Sequence, residues 1–180
     1  MQKVSVYDSK ALEILYNRYS PLLYTLVKKI VNDASLAEDV LTDIFEIIWR
    51  KIHLFDIHSG NVYSWLVTLS RNKAVDTLRR SQNREVPEYS KDYEDNFIIP
   101  KLSRIIDPLD LKTTNSIKDS VETAINKLTD AQKYVLYLAY YEGYTQKEIA
   151  EKLNIPFATV KSKIKIASTS LRDYLLKGDA

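Results

Sequence analysis

The chain has no cysteine. Disulfides, thiolate metal sites, iron–sulfur clusters and cysteine nucleophiles are therefore excluded. Glycine is nearly absent, at 3 of 180 residues, and proline numbers only 5. So few turn formers argue against a glycine-rich nucleotide-binding α/β fold and against an all-β chain with many tight turns. No apolar run reaches the roughly 18–20 residues of a membrane span. No signal peptide opens the chain either, so a cytoplasmic protein without membrane insertion is expected. The only two histidines, His53 and His58, lie five apart in a loop without the i,i+4 pairing of a helical metal site. No glycine-rich phosphate loop and no serine in a nucleophile motif occurs. Catalytic residues, metal and cofactor are thus all expected to be absent.

What the chain has is helix. Its 45% hydrophobic content supports a packed core, in one ordinary domain or two small ones. Leu12, Leu15, Tyr16 and Tyr19 recur at 3–4 spacing. Ser20-Pro21 reads as an N-cap followed by proline at the first helical position, which predicts a new helix to about Val31 with Leu23, Leu26, Val27 and Ile30 inward. Ser35-x-x-Glu38 reads as a capping box opening a third helix, with Val40, Leu41, Ile44, Phe45 and Ile48 inward and an end near His53. A polar loop follows, then a long helix from about Asn61 carrying Val62, Trp65, Leu66, Leu69, Val75 and Leu78 inward.

Residues 81 to about 115 lose the period. Pro87, Pro100 and Pro108 punctuate a polar stretch containing Glu85, Glu88, Asp92, Glu94 and Asp95, which predicts a linker. Helical signals return at Ser116, with Ile117, Val121, Ile125 and Leu128 in one stripe. Thr129-x-x-Gln132 and Thr145-x-x-Glu148 are two further capping boxes, and Gly143 fits a left-handed helix stop. Asn154 is suited to the left-handed turn before Ile155-Pro156, and a last helix runs from Phe157 to about Leu176. Ile149, Leu153, Ile155 and Val160 are spaced as the buried positions of a helix-turn-helix, with small Ala150 at the crossing. Its second helix buries Val160, Ile164, Ala167, Leu171 and Leu175. Phe157, Ala158, Lys161, Ser162 and Lys165 remain on the opposite face, where a major-groove helix reaches bases and phosphates.

The net charge of +2 hides segregation. From Asn32 to Trp49 there are acids (Asp33, Glu38, Asp39, Asp43, Glu46) and no base. From Arg71 to Arg84, Arg71, Lys73, Arg79, Arg80 and Arg84 oppose only Asp76, and from Pro156 to Lys177, Lys161, Lys163, Lys165, Arg172 and Lys177 oppose only Asp173. Two basic stripes far apart in sequence fit two contacts with one polyanion; solvated helix faces are the alternative. The acidic face fits a basic protein partner, or again plain solvation. Tyr63 and Trp65 beside Arg71, Asn72, Arg79 and Arg80 supply the stacking and charge that single-stranded nucleic acid requires, although the spacing of Trp65 with Leu66 and Leu69 favours a core position.

These residues carry a resemblance. Ala37-Glu38-Asp39-Val40, Asp43-Ile44-Phe45, Trp49, Trp65-Leu66, Ser70-Arg71-Asn72 and Asp76-Thr77-Leu78-Arg79-Arg80 resemble the second conserved region of bacterial RNA polymerase sigma factors. Gln146 to Arg172, with Glu148-Ile149-Ala150, Thr159-Val160-Lys161-Ser162 and Leu171-Arg172, resembles their fourth region. Two such regions joined directly by a linker are similar to the extracytoplasmic-function subfamily. The resemblance implies an all-α, non-catalytic specificity subunit. Its domains would be residues 1–82, binding core polymerase and the minus-ten element, an acidic linker 83–116, and a helix-turn-helix domain 117–180 for the minus-thirty-five element. On this basis Glu38, Asp39, Asp43 and Glu46 would meet core RNA polymerase. Asp56, His58, Ser59, Asn61, Tyr63, Arg71, Asn72, Arg79 and Arg80 would engage duplex and non-template single-stranded promoter DNA, with a base extruded into the loop. Phe157, Thr159, Lys161, Ser162, Lys163 and Lys165 would contact the upstream element. The family also admits an anti-sigma factor as partner. Lys161 stands where the family often has arginine, and lysine is less able to read guanine bidentately.

Two other classes compete. A conventional repressor or activator would also carry a helix-turn-helix, but its other half should offer a ligand pocket or dimer face. An enzyme would need one of the absent motifs above.

Overall fold

The computed structural model describes residues 3–52, 62–86 and 113–177. The described residues are helical, and the chain divides into two compact units that part between Asp107 and Pro108.

In the first unit a short 3-10 turn, Val4–Val6, precedes α1 (Ser9–Val31), α2 (Ala34–Lys51) and α3 (Val62–Ser81). Each of the three helices packs against the other two. Val4 is buried, a position with no periodic signal because the turn is only three residues long. The break expected at Ser20-Pro21 does not occur: α1 is continuous, with Pro21 inside it. An internal proline removes one backbone hydrogen bond and costs about 3 kcal/mol or more in an isolated helix. Here Leu15 before it and Leu23, Val27, Ile30 and Val31 after it are all buried, so packing holds both halves in one register.

The start of α2 also differs from the sequence reading. Asp33, not Ser35, is the N-cap, and its Oδ1 accepts from the Leu36 N–H at 2.7 Å. A carboxylate suits the positive end of a helix better than a hydroxyl does, and Ala37, three residues before Val40 on the same stripe, is fully buried. The α2 stripe of Val40, Leu41, Ile44, Phe45 and Ile48 is buried as the period predicts.

The second unit holds α4 (Thr113–Asn126), α5 (Asp130–Tyr140), α6 (Gln146–Leu153) and α7 (Phe157–Lys177). Helix α7 is the hub, packing against the other three. Helix α4 begins three residues before the expected Ser116. It turns Ala124 inward and leaves Ile125 exposed, because 3-then-4 spacing from Val121 runs through Ala124 to Leu128, which is buried in the bend just past the helix end. Lys127 closes one side of the α4–α7 contact, its Nζ 4.0 Å from the Tyr174 ring centroid. Both C-terminal capping boxes are present: Thr129 and Gln132, then Thr145 and Glu148, each satisfy the other's backbone N–H. Asn154 (φ 50°) and Gly143 (φ 63°) take the left-handed conformation as expected.

Candidate functional site

The helix-turn-helix is built on a small core. Val135 and Leu138 of α5, Ile149 of α6 and Val160 of α7 are buried together, with Ala150, Leu153, Ile155 and Ile164 packed around them. Asn154 ends α6 and its N–H bonds back to the Ala150 and Glu151 carbonyls, while Ile155 N–H also reaches Ala150 O at 3.0 Å. This turn directs α7 away from α6 and leaves its first turns uncovered on one side. Phe157, Ala158, Lys161, Ser162 and Lys165 are exposed there, whereas Thr159 and Lys163 are half-buried. Lys161 and Lys165 are one helical turn apart. The exposed residue that sequence reasoning missed is Ile166, 52% accessible although branched and apolar. Its signal was its place four residues after Ser162, on the outward side of a helix whose inward set was already complete.

In the first unit the charged residues fare differently. Glu38 and Asp39 are exposed on α2 and form no ion pair among the described residues. Asp43 reaches across to α3 and pairs with Lys73 at 3.1 Å, where the lysine side chain is only 13% exposed. Glu46 pairs with Arg50 one turn later on the same helix. The acidic face is therefore half used within the fold, and Glu38 and Asp39 are the part that faces outward free of intramolecular bridges.

The basic helix α3 is sorted in the same way. Trp65 is 3% exposed and belongs to the core. Tyr63 is half-buried; burial first, and the neighbouring Tyr19 second, push its phenol above the usual range, so it stays neutral under ordinary conditions. Arg71 and Asn72 are half-buried and linked, the guanidinium donating to Asn72 Oδ1 at 3.0 Å. Arg80 is exposed. Arg79, expected beside it on the DNA side, is 2% exposed. Its Nε donates to the Glu85 carbonyl at 2.6 Å, and its own carbonyl accepts from Arg84 N–H at 2.8 Å. A guanidinium buried in that way is not placed to hold a phosphate; it fastens the chain that leaves α3. Asp56, His58, Ser59 and Asn61 lie outside the described residues.

Among the described residues no group of His, Asp or Glu side chains could hold a metal ion, and no helix is long and apolar enough to cross a membrane.

Comparison with known proteins agrees with this division. The Sigma-70 region 2 family matches residues 15–84 and the Sigma-70, region 4 family matches residues 124–173. The ECF RNA polymerase sigma factor SigK of Mycolicibacterium vanbaalenii is 27% identical over 175 residues, covering 97% of this chain and 87% of that protein. The ECF RNA polymerase sigma factor RpoE of Cereibacter sphaeroides is 29% identical over 168 residues, covering 93% and 88%. Among solved structures, Rhodobacter sphaeroides SigE in complex with the anti-sigma ChrR is similar over 93% of this chain and 90% of that one, at 24% identity and a TM-score of 0.41. With region 2 and region 4 matched in that order over two thirds of its length, the chain belongs to the sigma-70 family of RNA polymerase sigma factors, in the extracytoplasmic-function subfamily.

Proposed function

We infer that this chain is the non-catalytic specificity subunit that brings core RNA polymerase to promoters, its region 2 engaging the minus-ten element and its region 4 the minus-thirty-five element. The observation that carries the reading is the outward face of α7. Lys161 and Lys165 are exposed one turn apart at the uncovered start of the second helix of a helix-turn-helix, with no acid between Phe157 and Leu171. Cations in that place neutralise phosphates and orient the helix in the major groove.

At residue level the proposal is narrower than the sequence suggests. Glu38 and Asp39 lead the polymerase-facing acids, since they hold no ion pair among the described residues, whereas the half-exposed Asp43 and Glu46 each already pair with a base of region 2. Tyr63, Arg71, Asn72 and Arg80 remain the minus-ten candidates from α3, with Asp56, His58, Ser59 and Asn61 from the preceding loop. The upstream set is Phe157, Thr159, Lys161, Ser162, Lys163 and Lys165. We take residues 1–82 and 117–180 as the two working domains, 83–116 as their linker, the cytoplasm as the place of action and an anti-sigma factor as a regulatory partner. Each domain offers a small contact area, so polymerase, by fixing their separation, converts two weak DNA contacts into one effectively intramolecular interaction.

The deciding experiment is transcription by core polymerase reconstituted with the full chain. Promoter-dependent initiation that requires the chain supports the reading. A tight, sequence-specific complex of the lone chain with promoter duplex, unaffected by core enzyme, supports a conventional regulator instead.

A further inference from the structure

The first three turns of α7, Phe157 to Ile166, contain no Arg, Asn, Gln, Asp or Glu. Together with lysine, which is less able to do so as a point charge on a flexible stem, those are the side chains that read guanine or adenine bidentately or accept from cytosine. What this face presents instead is short, apolar or cationic. Ala158, Ser162 and Ile166 follow one another at i,i+4 spacing, and all three line one open groove whose other wall is Thr129 and Gln132 at the start of α5. Phe157, at the first position of the helix, is 45% exposed. A single exposed Ile has no meaning by itself. Here it extends a strip of uncharged side chains along the outward face of the helix, with the exposed Lys161 and Lys165 along one edge. With 3.6 residues per turn both lysines fall along the same edge of the strip, where they supply charge complementarity to a phosphate backbone, and the half-buried Lys163 lies along the other edge. An apolar strip beside phosphate-binding cations has one partner in a major groove: the 5-methyl group of thymine, the only apolar group that a base pair displays there.

We propose that this chain recognises its upstream promoter element through thymine methyl groups, with Ile166 as the specificity-determining contact and Ala158 continuing the same strip. The proposal rests on the assignment of α7 to the upstream element. Hydroxyl contacts from Ser162 add hydrogen bonds that many bases accept, so discrimination falls to the methyl contacts.

Deoxyuridine tests this directly, because it deletes the methyl and leaves every hydrogen-bonding group and charge in place. Holoenzyme is reconstituted from core polymerase and the full chain, and the preferred upstream element is selected from duplexes randomised at that place. Each thymine of the selected element is then replaced singly by deoxyuridine. At least one replacement should weaken the promoter complex about fourfold, the effect of one buried methyl. Ile166→Ala should weaken the thymine duplex by a similar factor and abolish the difference between thymine and deoxyuridine. The substitution is exposed and favours helix, so the fold is retained. Equal binding of every deoxyuridine duplex overturns the proposal. So does a deoxyuridine penalty that persists undiminished in Ile166→Ala. If Ile166→Ala instead impairs assembly with core polymerase and leaves DNA binding by the assembled complex unchanged, the strip is a protein contact and the proposal falls. Lys161→Ala, measured on the same duplexes, separates the two levels. A lysine effect without a methyl effect leaves α7 on the upstream element but removes methyl reading, and no effect of either removes α7 from that element.

Discussion

The two units use charge in opposite ways. In region 2, three helices cover one another's faces, and basic side chains that look like surface charge in the sequence are drawn into the fold, Lys73 to Asp43 and Arg79 into near-complete burial, while Glu46 pairs with Arg50 at the surface. In region 4, α7 packs its inward stripe on three partners yet leaves one side of its first turns uncovered, and its lysines there form no ion pair among the described residues. A run of like charge thus identifies a binding surface only where the fold leaves the face open. The same contrast holds for the cores. Four buried residues anchor the helix-turn-helix, whereas region 2 buries a long stripe on each of three helices.

The sharpest way to test that contrast is to remove one anchor of the small core. Ile149→Ala deletes a fully buried side chain and should destabilise region 4 by about 2–5 kcal/mol. Thermal unfolding of the full chain should then show region 4 melting first while region 2 keeps its transition. A single unchanged transition would mean that the two units are not independent.

Next in size is the pair Arg79 and Arg80. Arg79→Ala removes a buried charge-assisted hydrogen bond to the Glu85 carbonyl, a loss of roughly 1.5–3 kcal/mol. Arg80→Ala, at an exposed site, should change stability by less than about 0.5 kcal/mol and affect only promoter binding. Denaturant titration of both variants decides this, and equal stabilities would erase the distinction between a structural and a DNA-facing arginine.

A smaller effect separates the two acids on α2. Asp43→Lys replaces an ion pair with a like charge facing Lys73 and should cost about 1 kcal/mol of stability, since Asp43 is half exposed. Asp39→Lys should leave stability unchanged and weaken assembly with core polymerase. If only the Asp43 variant loses polymerase affinity after allowance for folding, the outward-facing acid has been misassigned.

Much of the architecture was readable from residue types. The Thr129 and Thr145 capping boxes, the left-handed Asn154 and the inward stripe of α2 are local patterns whose physics is complete within a few residues, and all are present. The misreadings share a different cause. Pro21 sits inside α1 because burial on both sides outweighs a local penalty. Arg79 is internal because the chain after α3 folds back to Glu85, which no periodicity announces. Asp43 finds Lys73 only through the packing of α2 on α3. Ile125 is exposed because a helical stripe drawn with i+4 steps from Ile117 admits a neighbour that lies off its centre, whereas Ile166 stood outside the inward set of α7 and was passed over because it is apolar. For the site, Lys161, Ser162 and Lys165 were placed correctly on the outward face of α7, because an amphipathic helix sorts its own faces once its inward set is known.

The most direct measurement is the salt dependence of promoter binding by the reconstituted holoenzyme. Each phosphate contact contributes nearly one counterion, so Lys161→Ala and Lys165→Ala should each lower the slope of log affinity against log salt by about one, and the double variant by about two. Their stability should stay within about 0.5 kcal/mol of the parent, because both side chains are exposed. An unchanged slope in the double variant, with holoenzyme still assembled on the promoter, would contradict the claim that region 4 keeps its charge open for DNA.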